Sequence, residues 1–204
     1  MTTVRYTLLA DGTSDGALMA PLQWLIENHF PALRTVPQFA QHDLPAGDGL
    51  RARVEEAVRA YPCEVLFVHR DAERLSYEDR LLEIETATKE CVQHWVPIVP
   101  VRMTEAWLLG SERAIRAAAG NPNGREKLRL PLAGDWERLS DPKEELFDAI
   151  RVASGLKGRR LAGLPVRRIR ALVAEKTPDF EHLRVLPSFR ELEKSLITTF
   201  ARFR

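Results

Sequence analysis

The chain has 204 residues, 45% hydrophobic and 29% charged, with 30 Lys and Arg against 29 Asp and Glu. That length suffices for a sizeable core in one domain with or without an appendage, and the composition excludes a disordered or fibrous chain. A formal net charge of +1 excludes nucleic-acid binding by bulk electrostatics, so any such role must be local. Cys63 and Cys91 lack a metal-type spacing and read as reduced core thiols of a cytoplasmic protein. The N-terminus "MTTVRYTLLADG" has no signal-type apolar region, and no run approaches the roughly 20 apolar residues that span a bilayer, so no membrane partner is expected.

In chain order, four short apolar segments stand out: "VRYTLLA" (4–10), "TVPQFA" (35–40), "EVLFVH" (64–69) and "WVPIVPV" (95–101). They are rich in β-branched and aromatic residues and alternate with stretches of helical periodicity, which predicts successive βα units in an α/β fold with a mostly parallel sheet of about four strands flanked by helices. Pro37 suits an edge strand, and Pro97 with Pro100 puts the fourth strand at an edge or makes it irregular. Leu18, Leu22, Leu25, Ile26 and His29 mark one helix face; Leu81, Ile84, Thr88 and Cys91 mark another. Pro21 would break the first helix unless that helix starts late.

A helix is expected over 104–119, followed by a long loop, "GNPNGREKLRLPLAGDWERLSDP". Asp141-Pro142 with Glu144 and Glu145 reads as an N-cap, a first-turn proline and two dipole-favoured acids opening another helix, and the remainder is mainly helical. The chain thus divides into an α/β part, 1–120, and a loop and helical extension packed on it, 121–204.

Ligands of an open parallel sheet bind beyond the carboxyl ends of its strands. Acids occur there after three of the segments: Asp11 and Asp15 in "LLADGTSDG", Asp71 and Glu73 in "HRDAE", and Glu105 in "VRMTEAW". Gathered together, such carboxylates repel one another, and a hard divalent cation, Mg2+ or Mn2+, relieves the repulsion and can activate water against a phosphodiester. Each acid also has a plainer reading: Asp15 and Glu105 stand near helix starts, where the helix dipole favours acids, and Asp71 can cap the segment that follows it.

The acid-Gly-x-x-acid pattern after strand one, the x-x-Asp loop after "VLFV" and the later Glu-Ala-Trp-Leu-Leu resemble the Toprim-like domains of overcoming-lysogenization-defect nucleases. The pattern is more closely similar to the domain-of-unknown-function family numbered four-two-seven-six, over roughly residues 4–110, with "LPSFRELEKSL" as a looser likeness in the tail. The resemblance implies a metal-dependent nuclease or related phosphodiesterase, with Asp11, Asp71 and Glu105 holding Mg2+ or Mn2+ and Asp15 and Glu73 orienting ligands or water. It also implies a phage-defence setting with an AAA- or ABC-type ATPase partner. The sequence departs from the family at His69, where the first aspartate of an Asp-x-Asp is expected, and in having aspartate for glutamate at positions 11 and 15. The alternative is therefore a catalytically degenerate Toprim-like module that docks on an ATPase or nucleic acid.

Residues 151–170 hold seven basic residues and no acid. Lys157, Arg159, Arg160, Arg167, Arg168 and Arg170 are candidates for contacting DNA or RNA backbone phosphates, with a solvated helix face or a surface for an acidic protein as the other readings. Arg70 and Arg102, next to the acid loops, either touch a scissile phosphate or pair with the neighbouring carboxylates. Trp107 reads as a buried ring supporting its helix. A receiver-like phosphoacceptor domain is disfavoured because "VPVRMTEAW" supplies no lysine at the end of the later strand.

Overall fold

The computed structural model describes residues 3–40 and 49–203. Four strands, β1 (Thr3–Leu9), β2 (Arg34–Ala40), β3 (Val65–His69) and β4 (Trp95–Ile98), form one all-parallel sheet in the order β2-β1-β3-β4. The two proline-bearing strands are the edges, where a missing backbone N–H leaves no ladder bond unmade. Side chains alternate across the sheet. Val4, Tyr6 and Leu8 of β1, Val65 and Phe67 of β3, and Val96 and Ile98 of β4 enter one core, while Leu9, Leu66 and Val68 enter a second.

The second, smaller core is closed by α2 (Gly49–Ala60) and α3 (Tyr77–Thr88) through Val54, Ala57, Ile84 and Ala87. The larger is closed by α1 (Met19–His29), α4 (Glu112–Ala118), α5 (Pro142–Ser154), α7 (Val166–Lys176) and α8 (Pro187–Phe200), with the short α6 (Gly158–Ala162) exposed outside it. The extension is thus part of the sheet's own cover. Phe200 of α8 lies 6.0 Å from Phe67 of β3, ring centre to ring centre, and Phe189 meets Trp107 edge-on at 5.2 Å. Trp107 is the buried support expected of it.

Pro21 causes no break because Thr13–Leu18 form a 3-10 turn and α1 begins only at Met19. Pro21 then falls in the first turn, whose N–H groups have no intrahelical partner to lose. The single helix expected over 104–119 is two pieces, a 3-10 turn at Thr104–Leu108 and α4. Between them the chain carries Gly110 and restarts at Ser111, whose hydroxyl accepts a hydrogen bond from the Ala114 N–H at 3.2 Å. Gly110 is required for space, since a Cβ there would sit 1.9 Å from the His182 ring. The start of α5 is as read: Asp141 accepts from the Glu144 N–H at 2.9 Å, and Pro142 opens the helix. Cys63 and Cys91 are free thiols, half-buried rather than in the deep core. Among the described residues no helix is long and apolar enough to cross a membrane.

Candidate functional site

The acids of all three loops reach the carboxyl edge of the sheet. Backbone pairing runs on past the ends of β3 and β4, with Arg70 N–H on the Ile98 carbonyl, Ala72 N–H on Pro100 and Glu73 N–H on Arg102, at 3.0, 2.9 and 3.1 Å. This zipper brings Asp71 against Thr104. Asp71 Oδ1 accepts from the Thr104 N–H at 2.9 Å and lies 3.2 Å from the Thr104 hydroxyl. Glu73 and Arg102, at the zipper's end, both take left-handed backbone angles, φ 54° and 69°, which non-glycine residues adopt at a cost.

His69, the last residue of β3, is fully enclosed and links two acids. Its Nε2 lies 3.1 Å from Asp71 Oδ1 and 3.1 Å from the Thr104 hydroxyl, and its Nδ1 lies 3.9 Å from Asp15 Oδ2. Nδ1 has no hydrogen-bond partner, an uncommon state for a buried polar atom. Asp15 is itself nearly enclosed and caps its own turn, accepting from the Gly12 N–H at 3.0 Å. Burial pushes its carboxyl above the usual aspartate range and the Asp71 carboxylate adds to the rise, while His69, the Gly12 N–H and Arg170 oppose it.

Arg170, from α7, is the residue that ties this group to the extension. Its guanidinium forms an ion pair with Glu105, donates to the Ser14 carbonyl and reaches to 3.7 Å from Asp15. Glu105 is 3% exposed and Arg170 4%. At that depth an unpaired charge costs several kcal/mol, so neither side chain is tolerable there without the other. Asp15, Asp71 and Glu105 therefore belong to one continuous cluster, joined through His69 and Arg170.

Asp11 stands at the rim of this cluster, taken by two other arginines: Arg53 of α2 and Arg70 each donate to its Oδ1 at 2.8 Å. Arg70 also reaches Glu83 at 3.3 Å, so of its two readings the geometry gives that of a carboxylate partner. Glu73 points outward, 3.7 Å from Arg80, and Arg102 donates to the Glu73 carbonyl at 3.3 Å. Arg102 and Glu73 line a separate cavity with Arg74, Leu75, Met103 and Ser140.

Among the described residues no three His, Cys, Asp or Glu side chains form a group able to hold a metal ion. The carboxylates that led us to expect Mg2+ or Mn2+ are neutralised from within, Asp11 by Arg53 and Arg70 and Glu105 by Arg170. A hard cation does not fit this arrangement, because the guanidinium of Arg170 already lies between Asp15 and Glu105.

Beside the cluster, on the far side of the Thr13-Ser14 turn, lies a pocket of about 420 Å³ lined by Thr13, Ser14, Lys143, Phe147, Arg167, Arg168 and Arg170. Among the described residues, four cations and no carboxylate line it. Arg167 and Arg168 are exposed, and Lys143, Arg167 and Arg168 make no ion pair among the described residues. Lys157, Arg159 and Arg160 are exposed at and on α6 and do not line the pocket. Three contributors to the site carried no sequence signal that we used: Arg53, Thr104 and Lys143. Lys143 was the most accessible of them, since it follows the helix start at Asp141-Pro142 and so stands in a first turn. Compared with known proteins, the chain matches no family model, no curated protein sequence and no solved structure.

Proposed function

We propose that this chain is a Toprim-like module that holds the phosphate backbone of a nucleic acid against the carboxyl edge of its sheet, the reading that a degenerate metal site implies. The observation that carries it is the pocket next to the Thr13-Ser14 turn, whose lining among the described residues holds Lys143, Arg167, Arg168 and Arg170 and no acid. Of these cations Lys143, Arg167 and Arg168 make no ion pair among the described residues, and such cations on a concave surface attract phosphates and gain from counterion release, without needing to read bases. Among the described residues the lining holds no tryptophan or tyrosine and one aromatic ring, Phe147, so contact with the backbone is favoured over a base-stacking platform.

The test is fluorescence anisotropy with labelled single-stranded DNA, duplex DNA and RNA oligonucleotides. Binding should weaken steeply with salt, and alanine at Lys143, Arg167 and Arg168 together should reduce affinity more than tenfold while leaving the fold intact, since each phosphate contact contributes to the salt slope. Equal affinity in the triple variant would remove the pocket from the account.

A second reading, a metal-dependent nuclease or phosphodiesterase, is favoured by one observation: Asp15, Asp71 and Glu105 come from three separate loops into one cluster, which capping alone does not require. Manganese-dependent cleavage of plasmid or single-stranded DNA by the wild type, lost in Asp71→Ala, would establish it over the binding module. An ATPase partner and a role in phage defence belong to the same family likeness and remain proposals on that footing alone.

A further inference from the structure

We propose that the basic pocket beside the Thr13-Ser14 turn receives the end of a nucleic-acid strand, a terminal phosphomonoester, in preference to the phosphodiesters along its length. The inference rests on the pocket's being a phosphate site, as argued above, and names which phosphate it takes.

The first ground is charge. Arg170 is already compensated by Glu105, which leaves Lys143, Arg167 and Arg168 as the cations of the lining without an ion pair among the described residues. An internal phosphodiester brings one negative charge, whereas a terminal phosphomonoester brings about −1.5 to −2 at neutral pH and three acceptor oxygens. A terminal phosphate together with the diester next to it therefore matches these cations, and a single backbone phosphate does not. The second ground is shape. At about 420 Å³ the pocket has the scale of sites that enclose a small ligand, roughly 300–1,000 Å³. A surface that tracks a strand instead spreads its cations along a groove. Lys157, Arg159 and Arg160 stand at and on α6, which lies just before α7 in the chain, yet they do not line the pocket. Arg170, the most deeply buried of the lining cations, is fixed in advance by Glu105 and the Ser14 carbonyl.

The third ground is where the free cations stand. Lys143 is in the first turn of α5, and Arg167 and Arg168 are in the first turn of α7. The helix dipole favours anions at that end and disfavours cations, and α7 has neither an acid in its first turn nor a side-chain cap. A dianion in the pocket would offset this unfavourable placement in both helices more fully than a monoanion.

The experiment is a set of anisotropy competitions on the wild type with single-stranded DNA of one sequence: 5′-phosphorylated, 3′-phosphorylated, unphosphorylated, and closed into a circle. An unphosphorylated strand one nucleotide longer controls for added charge. A phosphate at one end should raise affinity about tenfold or more, as an added hydrogen bond to a charged group does, while the longer strand and the circle should show no such gain. Alanine at Lys143, Arg167 and Arg168 together, with folding checked by circular dichroism, should abolish the difference between phosphorylated and unphosphorylated ends. Adenosine 5′-monophosphate separates a strand end from a free nucleotide: if it binds as tightly as the phosphorylated strand, the pocket belongs to the small molecule and the proposal fails. Equal affinity for the circle and for linear strands with and without a terminal phosphate also overturns it. If that shared affinity is lost in the triple variant, the end preference alone fails and the pocket stands as a backbone site. If it is retained, the pocket reading fails as well.

Discussion

The Thr13-Ser14 turn has two sides that solve the problem of charge in opposite ways. Toward the sheet, Asp15, Glu105, His69 and Arg170 are buried, and Glu105 and Arg170 each carry a specific partner. Toward the extension, Lys143, Arg167 and Arg168 converge on a pocket with no carboxylate among the described residues of its lining. A buried charge needs its partner to be tolerated at all, whereas a solvated one keeps its hydration and can be left free for a ligand. The first side should therefore govern stability and the second binding. Arg170 alone belongs to both.

The largest effect expected from this contrast is on the buried side. Arg170→Met leaves Glu105 enclosed and uncompensated, and breaking a buried pair in this way costs about 3–5 kcal/mol. Urea denaturation should show that loss, and Arg170→Met combined with Glu105→Leu should recover much of it, because the pair together contributes far less than its severing costs. A loss under about 1 kcal/mol in the single variant would mean that Glu105 is solvated after all.

Next in size is the exposed side. Alanine at Lys143, Arg167 and Arg168 should change stability by no more than about 0.5 kcal/mol each. The same three changes should lower the slope of log affinity against log salt for a single-stranded oligonucleotide by about 2, at roughly 0.7 per phosphate contact. Unfolding of this variant, or an unchanged slope, would erase the distinction between the two sides.

A smaller effect belongs to the element that aims Lys143. Asp141→Ala removes the cap from the first turn of α5, for about 1 kcal/mol of stability. Because Lys143 stands in that turn, oligonucleotide affinity should fall measurably with it. Stability lost at unchanged affinity would show that Lys143 does not depend on the cap for its position.

The smallest effect is a dependence on pH. Burial holds the folded-state pKa of Asp15 above its unfolded value. Between those two values the native state binds the additional proton, so this residue's contribution to stability falls as pH rises and is most favourable below both. Asp15→Asn, which keeps an oxygen for the Gly12 N–H, should flatten the stability profile across that acidic window and raise stability at neutral pH. A profile that stays the same would place the carboxyl in contact with water.

The parallel sheet was legible because β-branched runs alternate with helical ones, and Pro37 and Pro97 marked the two edges. The late start of α1 could be read from Pro21, because a proline costs little only in a first turn. The break at Gly110-Ser111 has a local signal, a glycine followed by the capping Ser111, whereas the need for glycine there is tertiary, because the His182 ring occupies the space of a Cβ. The site divided along the same line. Acids at strand ends are a local feature, and Asp15, Asp71 and Glu105 do gather. Which cation meets each of them is a tertiary fact: Arg53 comes 42 residues after Asp11, and Arg170 comes 65 after Glu105. The charge run groups Arg170 with five other candidate phosphate contacts, but α7 turns Ile169 and Arg170 inward and leaves Arg167 and Arg168 outside.

The most direct test of the central claim is a nuclear magnetic resonance titration of the labelled protein with a short single-stranded oligonucleotide. We expect shifts concentrated at Thr13, Ser14, Lys143, Phe147, Arg167 and Arg168. Shifts gathered instead around Arg74, Arg102 and Ser140 would contradict the account.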